Sequence, residues 1–122
     1  MSDVLRLSGE GLGIMIIRIW RAEVDPSRVA QYEEFAREHS LPMFRKQRGL
    51  LGVVFSRASN RALVLTIWEN QEAIADLEAS PTYRDTVTRI HRAGFVREDT
   101  TVELFDVHGG TLTSALLDRL PE

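Results

Sequence analysis

Residues Ile14–Val24 read IMIIRIWRAEV and run directly into Asp25-Pro26. The β-branched side chains make this stretch a strand. Its two faces are both apolar: Ile14, Ile16, Arg18 and Trp20 on one, Met15, Ile17, Ile19 and Arg21 on the other. An antiparallel strand with helices above it and water below alternates apolar with polar residues instead. The same doubling recurs in Arg61–Glu69 (RALVLTIWE), where Ala62, Val64, Thr66 and Trp68 oppose Leu63, Leu65, Ile67 and Glu69. In Leu50–Arg57 (LLGVVFSR), Leu51, Val53 and Phe55 oppose Leu50, Gly52 and Val54.

Helices of one small domain cover one face of a sheet. Leaving the other face wet would expose more than the few hundred Å² of apolar patch a monomer normally shows. The simplest cover is the same face of a second copy. This pattern predicts a homodimer whose sheets pack face to face or close into a barrel. The alternative cover is the chain's own two ends.

Working outward, Asp25 is placed to cap a helix and Pro26 suits its first position. Val29, Tyr32, Ala36, His39 and Met43 then recur at helical spacing, with Phe35 widening the stripe. Pro42 lacks an N–H and collides with the preceding turn, so a bend near His39–Leu41 is expected before the helix ends near Gln47. Gly49 stops that element, and Ala58-Ser59-Asn60 joins the next two strands as a short hairpin. Asn70 caps a helix over Gln71–Ala79, and Ser80-Pro81 restarts the chain as another with Tyr83, Val87, Ile90 and Gly94 on one side. Thr100–Val107 is the last strand, followed by Gly109-Gly110 and a short helix within Leu112–Leu120. The order βαββαβ is an α+β, ferredoxin-like split βαβ sheet with helices on one face. Three segments follow: a flexible arm at 1–12, the domain at 13–108 and a tail at 109–122.

The chain has 122 residues and a formal net charge of −3, with Lys46 the only lysine. Such a balance, without a basic run, argues against a nucleic-acid partner. No stretch reaches the ~18 apolar residues of a membrane span, and the N-terminal residues have no apolar core of a leader, so a cytoplasmic protein is expected. The absence of cysteine removes disulfides, thiolate nucleophiles and Cys-based metal sites. Gly9-Glu10-Gly11-Leu12-Gly13 lacks the Lys-Ser/Thr of a phosphate loop and precedes the first strand.

The remaining chemistry is carried by few residues. His39, His91 and His108 never pair at HxH, HxxH or HxxxH spacing, so no metal is expected. His39 and His91 fall on or beside helix stripes. Each reads either as a hydrogen-bonded core residue or as a general base near neutral pH. Trp20 and Trp68 share a strand phase on adjacent strands, giving either ordinary packing or a wall on which a flat aromatic ligand stacks. Arg18 lies between Ile16 and Trp20, where a buried guanidinium must be paired; Glu103 on the last strand is the expected partner. The other reading is that Arg18 orients an anionic substrate. Tyr83 and Tyr32 are helix-stripe residues. No GxSxG, triad or close carboxylate pair supports a hydrolase.

Taken together, MIIRIWRAEV, LPMFRKQRGLLGV, LTIWEN and QEAIADLEASPTYRD resemble the antibiotic biosynthesis monooxygenase (ABM) domain of the dimeric α+β-barrel superfamily, over roughly residues 14–107. The most specific pieces are Trp68-Glu69-Asn70 followed by Glu72-Ala73, and the Ser80-Pro81 restart. The resemblance implies a homodimer with a small-molecule pocket between sheet and helices in each subunit. It also implies oxidation of aromatic polyketide-type substrates by molecular oxygen with no bound cofactor. Trp68 matches the pocket aromatic; Trp20, Arg18 and Tyr83 are the further substrate-binding candidates, and His91 or His39 the candidate base. The family's polar pocket positions fall on Val64, Ile74 and Val87. The haem-degrading branch carries an Asn on the first strand, a Trp and a His; here there is no such Asn, and Leu77 and Val87 occupy the other two places. The expected function is a cofactor-free monooxygenase acting on a small aromatic or enolisable molecule. The alternative is a non-catalytic small-molecule-binding dimer on the same fold.

Overall fold

The computed structural model describes residues 14–97 and 99–121. The N-terminal arm at 1–12 and the glycine-rich stretch beside it lie outside the described residues. Strand β1 (Ile16–Glu23) leads into a short 3₁₀ turn at Pro26–Arg28 and helix α1 (Val29–Phe35). A π-helical turn (Ala36–Ser40) connects α1 to α2 (Leu41–Arg45). Strands β2 (Leu50–Ala58) and β3 (Arg61–Trp68) form the hairpin; α3 (Gln71–Ala79) and α4 (Pro81–Ala93) follow. Strand β4 (Thr101–Asp106) and helix α5 (Ser114–Arg119) complete the order. The sheet runs β2-β3-β1-β4 and is antiparallel throughout, the ferredoxin-like arrangement expected from the element order.

The capping residues work as their chemistry dictates. Asp25 accepts hydrogen bonds from the Ser27 N–H at 3.0 Å and the Ser27 hydroxyl at 2.8 Å. These contacts hold its carboxyl below the usual carboxylate value. The Asn70 side chain accepts from the Ala73 N–H at 2.9 Å, and Ser80 from the Tyr83 N–H at 3.4 Å. Gly94 ends α4 with φ of 83°. Gly49, φ 86°, turns the chain into β2 where a Cβ would sit 2.5 Å from that of Ala73. The hairpin turn is tighter than expected. Strand pairing continues to Ala58 and Arg61, leaving Ser59-Asn60 as the loop, with Ser59 at φ 58°.

Two details depart from the regular pattern. A bulge between Leu50 and Gly52 lets Leu50 pair with Trp68 and pack into the core, so Leu50 shares the helix-covered face with Val53 and Phe55. Leu51, expected on that face, is exposed. The second departure is the π turn at Ala36–Ser40.

Two apolar clusters lie between sheet and helices. One gathers Ile16, Met43, Phe44, Trp68, Ile74 and Leu77; the other Ala22, Val24, Tyr32, Ala62, Ile90 and Phe95. The opposite face carries Ile17, Ile19, Leu63, Leu65, Ile67 and Val54, none of them fully buried. Phe105, 47% exposed, and Met15, 44% exposed, extend it. Among the described residues no helix covers strand β4 either, and Val102 and Leu104 are exposed on the helix side. No helix among the described residues is long and apolar enough to cross a membrane.

Candidate functional site

The site starts from one residue that a central strand forces inward. Arg18 alternates with Ile16 and Trp20 toward the helices, and only 3% of its surface is exposed. A guanidinium so placed loses hydration worth several kcal/mol, so its partners matter. The expected partner, Glu103, is not one of them. In the β1–β4 register Glu103 stands opposite Ile19, which places it on the open face, where it pairs with Arg21. Arg18 stands opposite Leu104. Its Nη2 donates to the Tyr83 hydroxyl at 2.9 Å and lies 3.6 Å from Glu78 Oε2. The Arg18 Cζ also sits 5.5 Å from the Tyr83 ring centre. Its Nε is buried with no hydrogen-bond partner among the described residues.

This side chain forms part of an inner cleft of about 50 Å³. Sheet residues Arg18, Trp20, Val64 and Phe55 line its floor. Tyr32, Ser40, Met43 and Phe44 line one wall, and Tyr83, Thr86, Val87 and Ile90 the other. Thr86 is satisfied within its own helix, donating to the Thr82 carbonyl at 2.8 Å. Burial, aided by the charge of Glu33, pushes the Tyr32 phenol up to about 12, so it stays protonated at neutral pH. What the arrangement offers a ligand is an apolar slot lined by one buried cation and two phenols, Tyr32 and Tyr83.

Of the residues singled out in the sequence, Arg18, Trp20 and Tyr83 come together here. Trp68 does not line the cleft. It shares a sheet face with Trp20, but antiparallel pairing puts it opposite Ile16 and Trp20 opposite Val64. Four residues of strand separate the two levels, about 13 Å at ~3.4 Å per residue. Trp68 is wholly buried, and its Nε1 donates to the Thr66 hydroxyl at 2.7 Å.

Neither histidine lines the cleft. His39 is exposed, with its ring centre 4.9 Å from that of Phe35 and its Nδ1 3.5 Å from Arg89 Nη2. The reason is the π turn. The Leu41 N–H bonds to the Ala36 carbonyl, five residues back, which inserts one residue and rotates everything after it. The buried stripe becomes Tyr32, Ala36, Ser40, Met43 and Phe44. His39 swings out and Ser40 takes the inward place that regular spacing assigned to it. Pro42 was the sequence signal for Ser40, since it marks where the helix cannot stay regular. His91 is half-buried, one residue beyond Ile90. His108 is exposed after β4. Among the described residues no group of three or more His, Cys, Asp or Glu is placed to hold a metal ion.

An outer groove of about 340 Å³ adjoins the cleft, and Tyr32 and Phe55 belong to the walls of both. Glu33, Arg37, Leu41, Ser56 and Arg57 line the rest, with Pro121 at its edge.

The family model for antibiotic biosynthesis monooxygenases matches residues 15–89. No curated protein sequence matches the chain. Among solved structures, SnoaB, a cofactor-independent oxygenase from Streptomyces nogalater, superposes with a TM-score of 0.66 at 16% identity, over 80% of this chain and 97% of that one. A protein of unknown function from Nitrosomonas europaea gives 0.68 at 12% identity, over 85% and 99%. A conserved protein from Methanosarcina mazei gives 0.66 at 10% identity, over 75% and 91%. At these identities the likeness carries the fold alone.

Proposed function

The chain belongs to the antibiotic biosynthesis monooxygenase family, and from that membership we propose that it oxidises a small aromatic or enolisable substrate with molecular oxygen in the cleft around Arg18 and Tyr83. The observation that carries this reading is the buried guanidinium. Its Nη2 is engaged by the Tyr83 hydroxyl, its Nε is buried without a partner among the described residues, and the side chain helps line an apolar slot. A cation held there stabilises an enolate or phenolate oxygen, and it does so strongly because the surroundings are dry and already organised. The anion supplies the electrons. An anthrone-type CH₂ loses its proton to solvent before binding; the carbanion reduces oxygen and, with a proton from solvent, forms a C–OOH group that loses water, so that one oxygen atom stays as the carbonyl and the other leaves as water. Trp20, Met43, Phe44 and Phe55 exclude water from the anion while it reacts. The cofactor-independent oxygenase SnoaB shares the fold and lends this chemistry support.

With no imidazole on the cleft wall, the cleft selects the substrate already ionised. A histidine base, His91 or His39, enters only if the end of α4 or the π turn rearranges on binding. The functional unit in this reading is a homodimer joined through the open sheet face, with a small aromatic ligand in each subunit.

The test is oxygen uptake with phenols, anthrones and quinols. Tyr83→Phe is expected to lower turnover by about a hundredfold, as loss of a single oxyanion donor does. His91→Ala and His39→Ala are expected to keep near-wild-type rates; loss of activity in either would restore the histidine as base. A second reading, a non-catalytic binder, is favoured by the cleft lining, which holds neither a histidine nor Trp68. Ligand-induced stabilisation without oxygen uptake across the panel would select it.

A further inference from the structure

The inner cleft by itself does not enclose a whole aromatic substrate, yet it holds the buried cation that meets the reacting end. The outer groove has the volume that the cleft lacks, about 340 Å³ against about 50 Å³, and the two share Tyr32 and Phe55 in their walls. The charge of the groove points to its occupant. Its lining carries Glu33, Arg37 and Arg57. Arg57 Nε donates to Glu33 Oε2 at 2.6 Å, and its Nη1 donates to the Ser59 carbonyl at 2.9 Å. That pair is internally satisfied. Arg37 has no ion-pair or hydrogen-bond partner among the described residues, and it leaves the groove with one positive charge in excess. Two aromatic rings in the shared wall, a free guanidinium outside and a buried guanidinium inside are complementary to an aromatic molecule with an oxygen at one end and a carboxylate at the other.

We propose that cleft and groove form one composite site for an aromatic monocarboxylate. Its ring system passes between Tyr32 and Phe55, its reacting oxygen reaches Arg18 and Tyr83, and its carboxylate rests on Arg37. This deepens the oxygenase reading by naming the substrate class and rests on it for the role of the inner end.

The test is binding without turnover. 4-(6-Hydroxy-2-naphthyl)butanoate and the amide of the same length are titrated under nitrogen by calorimetry and by tryptophan fluorescence, Trp20 lying at the cleft. In low salt the carboxylate is expected to bind about fivefold tighter than the amide, the upper range for a partly exposed ion pair. Arg37→Gln is expected to abolish that preference while leaving the amide's affinity unchanged, and Arg37→Lys to retain most of it. Tyr83→Phe weakens both probes alike. Equal affinities for the two probes in the wild type would overturn the proposal, and so would a preference that survives Arg37→Gln. A preference lost in Arg18→Gln but kept in Arg37→Gln would put the carboxylate in the inner cleft and overturn it too. An Arg37-dependent preference without oxygen uptake keeps the site and removes the oxygenase reading; uptake without the preference does the reverse.

Discussion

The chemistry of this chain turns on Arg18 and the few atoms that meet it. Its burial was legible from its place between Ile16 and Trp20 on a central strand. Its partner was not, because Glu103 and Arg18 fall on opposite faces once the β1–β4 register is set. Replacing Tyr83 with Phe leaves the guanidinium with the half-exposed Glu78 alone, and unfolding by urea is expected to show a loss of ~1–3 kcal/mol. Thr66→Val removes the acceptor of the Trp68 indole N–H. A similar cost of ~1–3 kcal/mol is expected for that buried, unpaired donor, with a shift in tryptophan emission. Tyr32 supplies a pH dependence. Its phenol titrates near 10.0 when unfolded and at about 12 when folded. The folded state therefore prefers the protonated form. Its stability is full below pH 10 and declines as pH rises through 12, by about 3 kcal/mol in all. Tyr32→Phe should flatten that decline in alkaline urea titrations; an unchanged slope would rule out Tyr32 as its source.

At the scale of elements, local chemistry was the reliable guide. Asp25-Pro26, Asn70, Ser80-Pro81 and Gly94 start and stop helices through groups that satisfy or remove backbone donors, and those act within a few residues. Asn70→Ala is expected to cost ~1 kcal/mol as lost helix capping, measured by thermal unfolding. What spacing alone could not give was phase across an irregularity. The bulge at Leu50/Gly52 and the π turn each insert one residue, and each reverses which neighbour points inward. Only the π turn left a trace in the sequence, as a disturbance at Pro42 without its direction. Deleting His39 together with Pro42→Ala should close the π turn into regular helix and keep both flanking stripes inward. Its thermal unfolding should stay within ~1 kcal/mol of the wild type, because one residue is what separates the two helix types. Deleting Glu34 instead, inside regular α1, should rotate α1 against the core and unfold at much lower temperature.

For the molecule as a whole, the apolar residues exceed what its helices cover. Ile17, Ile19, Leu65 and Ile67 face away from the helices, and Met15 and Phe105 stand exposed beside them. A homodimer through this face is the arrangement we expect. Sedimentation should give twice the 13.8 kDa chain mass at micromolar concentration. Leu65→Lys, placing a charge at the centre of the face, should yield the monomer. A wild type that sediments as a monomer would remove the dimer and leave the open face to another partner.

The sequence by itself determined the order of elements, the ferredoxin-like class, the helix caps and the presence of two apolar sheet faces. These follow from periodicity and from contacts a few residues apart, which any local stretch already contains. Only the tertiary structure decided that Arg18 meets Tyr83, that Trp68 lies at another level of the sheet from Trp20, and that Ser40 replaces His39 on the inner wall. Those outcomes depend on strand register and helix phase. A shift of one residue in either leaves the local preferences almost unchanged while it exchanges the side chains that face the site.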